Sequence, residues 1–102
     1  MKIIITSDGE WMTSKFCPHF EECKYLILYD TKTKEYSSMK SPSYQTKDKT
    51  KLINFLKAVF MKHIITGENI DDKYFKVYIP QQKKSTVEEV IIEYLKNINK
   101  YK

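Results

Sequence analysis

The chain has 102 residues, 41% hydrophobic and 30% charged, with a formal net charge of +5, which suits one domain built around a two- or three-layer core and excludes a large multidomain enzyme. All 18 basic residues are lysine, so the guanidinium fork that most often reads guanine is missing and a sequence-specific nucleic-acid reader is not expected. No apolar run approaches the ~20 residues needed to span a bilayer, and the N-terminus lacks the order of a signal peptide, so a cytoplasmic protein with no membrane partner is expected.

Lys2 to Thr6 is a β-branched run stopped by Ser7-Asp8-Gly9 and reads as a buried strand. Residues 10–23 have no period and contain Pro18, which predicts a long loop, and long loops in small domains are often functional. Tyr25 to Tyr29 forms a second apolar run, Asp30 to Lys34 a turn, and Glu35 to Met39 a more polar third strand completing a hairpin. From Lys49 to Lys62, Leu52, Ile53, Leu56, Val59 and Phe60 recur at helical spacing, with Asp48 or Thr46 placed to cap the first turn. His63 to Thr66 predicts a fourth strand ending at Gly67, followed by room for one helical turn around Ile70 and Tyr74, and Phe75 to Ile79 a fifth strand ending at Pro80. Ser85 to Glu89 offers the capping-box pattern in two registers, after which Val87, Val90, Ile91, Tyr94, Leu95 and Ile98 share one helical face. The order predicts a single α/β domain over 1–102: one mixed five-stranded sheet, two main helices and one short helical turn.

Three stretches, KIIITSDG at 2–9, CPHFEECKYLILYD at 17–30 and TVEEVIIEYL at 86–95, resemble the dinitrogenase iron-molybdenum cofactor-binding family, in the family's order and across nearly the whole chain. The resemblance implies a ribonuclease-H-like fold and a role in binding or assembling an iron-molybdenum-type cofactor. It marks Ser7, Asp8 and Gly9 after the first strand and the pair His19-Phe20 in the loop as cofactor-binding positions. The chain departs from the family pattern in three places, one of them the helix after Gly67, which has room for only one turn. Residues 44–50 hold no glycine where members have a glycine-rich turn, and Glu21 stands where a glycine commonly follows His-Phe; an anion cradle of backbone amides before the first long helix is therefore not expected.

Read for their chemistry alone, Cys17, His19 and Cys23 put two thiols and an imidazole within seven residues. These donors suit zinc, copper, iron and iron–sulfur species, although the spacing is not a standard zinc signature and short Cys/His groupings are often structural. Two cysteines make no disulfide framework, so free thiols are expected. His63, opening a strand, reads as a structural histidine. Asp8 and Asp30, each ending a strand, raise a two-metal nuclease as an alternative, which requires them to converge with Glu35. Trp11 and Phe16 flank the loop as a lid if exposed and as anchors if buried.

The combined expectation is a non-catalytic carrier of an iron-molybdenum-type or other iron–sulfur cluster, or of a zinc or iron ion, with the cluster and cofactor-assembly proteins as partners. A metal-free interaction or regulatory module on the same fold is the alternative. Residues 31–62 hold 8 lysines against 2 acids, and this stretch is expected to attract an anionic cargo, helped by the positive end of the helix beginning near Asp48.

Overall fold

A computed structural model describes residues 1–99. Five strands, β1 (Lys2–Ser7), β2 (Tyr25–Asp30), β3 (Tyr36–Lys40), β4 (His63–Ile65) and β5 (Lys76–Tyr78), and two helices, α1 (Lys49–Ala58) and α2 (Val87–Asn99), alternate as the sequence predicts. The sheet order is β3-β2-β1-β4-β5. β1 to β3 pair antiparallel, while β1, β4 and β5 run parallel, so the sheet is mixed.

The β-branched run of β1 is explained by burial on both faces, because alternate side chains enter two separate cores. Ile4, Leu26 and Ile64 pack with Leu52 and Leu56 of α1 and with Phe20, Ile70 and Phe75. Ile3, Ile5, Ile27 and Ile65 pack with Val87, Val90, Ile91 and Tyr94 of α2. The α2 start uses the second of the two capping registers: Glu89 N donates to Thr86 Oγ1 at 3.2 Å, and Thr86 N donates back to Glu89 Oε1 at 3.0 Å. Asp48 caps α1, its Oδ1 accepting from Thr50 N at 3.0 Å and Lys51 N at 3.3 Å.

Three expectations are corrected. The helix predicted through Lys62 stops at Ala58, because Phe60 takes a left-handed φ of 60°. Phe60 N then donates to Lys57 O, and Met61 N to Leu56 O, which closes a Schellman motif. The helical turn around Ile70 and Tyr74 is absent: Asp72 Oδ1 accepts from Tyr74 N at 2.9 Å and Phe75 N donates to Asp72 O at 3.2 Å, so an Asx turn replaces it. Ile70 and Phe75 remain buried. The third strand lies one residue later than predicted and the fifth is shorter at both ends. No helix among the described residues is long and apolar enough to cross a membrane.

Candidate functional site at the carboxyl edge of the sheet

Parallel pairing brings the ends of β1, β4 and β5 to one edge, where ligands of open α/β sheets usually bind. The loop after β1 lies across this edge. Ser7 Oγ accepts from Gly9 N at 3.1 Å and donates to Gly9 O at 2.7 Å, forming a tight turn. A Cβ on Gly9 would come within 2.4 Å of Ser14 Oγ, so a side chain there would displace the hydroxyl that accepts from Trp11 N. The chain returns through Asp8 N to Lys15 O (3.0 Å) and Cys17 N to Thr6 O (3.0 Å). Buried Thr6 Oγ1 donates to Cys17 O at 2.5 Å and lies 3.1 Å from Thr66 Oγ1, tying the loop to the ends of β1 and β4.

Residues 17–23 are held from two further sides. Pro18 sits so close to Gly67 that a Cβ there would meet Pro18 Cβ at 2.4 Å and its carbonyl oxygen at 2.5 Å. Ser43 Oγ donates to Glu21 O at 2.9 Å. Phe20 is completely buried, and its N–H donates to Glu68 Oε1 at 3.1 Å.

The candidate ligands part company within this loop. The side chain of His19 is 61% exposed, with Nδ1 3.6 Å from Glu68 Oε1. Cys17 and Cys23 turn into the α1-side core, where Cys17 Sγ donates to His19 O at 3.5 Å and Cys23 Sγ to Phe20 O at 3.2 Å. Burial pushes the Cys17 thiol up to about 11, with the nearby Asp8 carboxylate adding to the rise. Burial likewise pushes Cys23 up to about 12. Both are protonated at neutral pH and are poor ligands in this arrangement. Since each folded value lies above that of the free thiol, the stability these thiols contribute is fully present below about pH 9 and is lost as pH rises through 11 to 12. Cys17, His19 and Cys23 therefore do not converge as expected, and among the described residues no group of three or more His, Cys, Asp or Glu side chains is arranged to hold a metal ion.

The carboxylates predicted for a two-metal site also separate. Asp30 pairs across the sheet with Lys2, at the start of β1, while Asp8 follows its end, and Asp30 N donates to Glu35 O on the far side. Asp30 instead builds the hairpin turn, its Oδ1 accepting from Lys32 N at 2.9 Å, and this bond holds its carboxyl below the usual range. His63 lies half-buried at the start of β4, on that same far edge, where burial lowers its pKa and Lys76 lowers it further. Trp11 is 62% exposed at the tip of the loop, whereas Phe16 is buried in the α2-side core.

Lysines that belong to none of the sequence motifs meet Phe16 and Pro18 on a concave surface here. A cleft of about 460 Å³ is lined by Lys15, Phe16, Pro18, Lys83, Lys84 and the α2 start. Its one acid, Glu89, is engaged with Thr86, which holds its carboxyl below the usual range. The positive charge expected from residues 31–62 thus enters this cleft from outside that stretch. The Lys83-Lys84 doublet directly before the capping box was the available signal. The helix starts have their amides largely taken: at α1 Asp48 accepts from Thr50 N and Lys51 N, and at α2 Val87 N donates to Ser14 O and Glu88 N to Met12 O, both at 2.9 Å.

No individually curated protein matches the sequence. Among solved structures, the fold is similar to the apo form of the orange protein from Desulfovibrio gigas, at a TM-score of 0.75 and 18% identity over 94% of this chain and 88% of that one. It is also similar to a Thermotoga protein described as a candidate NifB protein, solved by NMR, at a TM-score of 0.74 and 20% identity over 93% of this chain and 87% of the other. The family model described as dinitrogenase iron-molybdenum cofactor matches residues 1–97, and the chain belongs to that family.

Proposed function

We propose that the chain is a non-catalytic carrier of an anionic metal–sulfur cargo, of the iron-molybdenum or a simpler iron–sulfur type, received and handed on at the carboxyl edge of the sheet. The observation that carries this reading is the cleft in which three lysines, Lys15, Lys83 and Lys84, line one concavity over Phe16 and Pro18 against a single carboxylate, Glu89, which leaves a net positive charge. Ammonium groups are mobile point charges that attract an anion without fixing its geometry, as reversible carriage requires. His19, next to Pro18 and exposed, is the donor open to one metal bond, and neutral imidazole suits iron, copper and zinc. Cys17 and Cys23 would have to leave the core and lose their protons to join it, so a bare zinc or iron ion held by all three is the weaker form of the proposal. Family membership supports a role in binding or assembling the cofactor, with assembly proteins as partners. The β3-β2-β1-β4-β5 order, antiparallel on one side and parallel on the other, supports the ribonuclease-H-like kinship.

The test is uptake of a preformed synthetic iron–sulfur cluster anion by the full chain under reducing, oxygen-free conditions, followed by visible absorption and iron analysis after desalting. Uptake is expected in the native chain and in Cys17→Ala, weakened in His19→Ala, and abolished when Lys15, Lys83 and Lys84 are all changed to glutamate. Absence of uptake, or uptake indifferent to the three lysines, overturns the reading.

A further inference from the structure

A second surface, away from the cleft, is built in a way that folding alone does not explain. Between the outer strands and the end of α1 lies an apolar groove of about 280 Å³, walled by Leu26, Leu28, Met39, Phe55, Val59 and Met61. It opens beside β3, which ends the sheet and exposes all five of its residues. An edge strand presents unpaired backbone donors and acceptors to any extended segment that reaches it. Phe60, next to Val59, is 82% exposed and occupies the left-handed position that closes α1. That position favours glycine, and a bulky aromatic held there in solvent gains nothing from burial to offset the strain.

The charge around the groove selects the occupant. Lys2 lines it, and Lys32, Lys34 and Lys40 flank β3, so four lysines face the two acids of this corner, Glu35 and, at the end of β2, Asp30. A second copy of this chain would bring the same lysines against themselves, whereas an acidic segment would be attracted. We propose that β3 and this groove dock an extended acidic segment of a partner protein, which adds to the sheet as a strand beyond β3 and sets apolar side chains into the groove and against Phe60.

The experiment titrates the isotope-labelled full chain with a short synthetic peptide of alternating glutamate and valine and follows the amide resonances. Saturable shifts are expected at Tyr36–Lys40 and from Phe55 to Met61, with binding that weakens as salt rises. In Phe60→Gly, where the helix end keeps its favoured geometry, and in Met39→Lys, at an exposed position, binding should fall roughly tenfold or more. A peptide with lysine in place of glutamate should not bind. The proposal is overturned by an absence of saturable shifts, by shifts centred on Lys15, Lys83 and Lys84 instead, by equal binding of the lysine peptide, or by self-association of the chain alone through the same amides.

Discussion

The carboxyl edge and the β3–α1 corner invert the usual relation between regular structure and burial. At the edge, irregular chain is packed like a core: Phe20 has no exposed surface, Cys17 and Cys23 are buried with their thiols bonded, and Gly67 lies flush on Pro18. At the corner, a regular strand and the end of a regular helix stand uncovered, with Tyr36, Met39, Val59 and Phe60 all exposed. Packing has been concentrated where a loop must hold one shape and withheld where a surface is left open.

The largest blow to that contrast is Phe20→Ala. Truncating a fully buried phenylalanine costs about 3–5 kcal/mol, whereas Phe60→Ala in solvent should stay within about 0.5 kcal/mol. Denaturant unfolding of both variants measures the gap; similar losses would mean that the corner is as closed as the edge. Gly67→Ala follows, because its Cβ would strike backbone as well as side-chain atoms of Pro18. A loss of about 1–3 kcal/mol is expected from such overpacking, together with altered amide shifts through residues 17–20. A neutral result would show that the two segments slide past each other freely.

A smaller effect comes from Thr86→Ala, which removes the acceptor for Glu89 N and should cost about 1 kcal/mol. It also changes the acid response. Glu89 accepts from Thr86 N and Oγ1, bonds that depress its pKa in the folded chain. The stability from that depression is present above the unfolded carboxyl value and is lost as pH falls through the folded one. Stability measured between pH 6 and 3 should therefore fall less steeply in Thr86→Ala than in the native chain; parallel curves would count against the cap.

The contrast between edge and corner also marks what the sequence could reveal. The succession of elements along the chain and both helices were legible because β-branched runs, the Asp48 cap and the Thr86-Glu89 pair act within a few residues of themselves. The end of α1 was not, since Phe60 closes it without the glycine or proline that usually announces such a stop. For the candidate site, spacing placed Cys17, His19 and Cys23 in one loop but carried no information about direction, because a loop has no period to say which side chains face inward. Thiols are readily buried, and these two went to the core while the imidazole went to water. The cleft lysines were hidden for the opposite reason, being joined by folding from positions 15, 83 and 84 that no local pattern connects.

The smallest expected change is the one that separates a structural from a recognition role at the corner. Phe60→Gly relieves a left-handed aromatic, worth about 1–2 kcal/mol, but returns about 0.4–1 kcal/mol to the unfolded chain through glycine's greater freedom. The net should be a gain of roughly 1 kcal/mol or less, seen as a higher denaturant midpoint with unchanged slope. A residue retained for folding would lower the midpoint when replaced. A midpoint that rises means that Phe60 costs the fold stability, and with most of its ring in water no core contact offsets that cost.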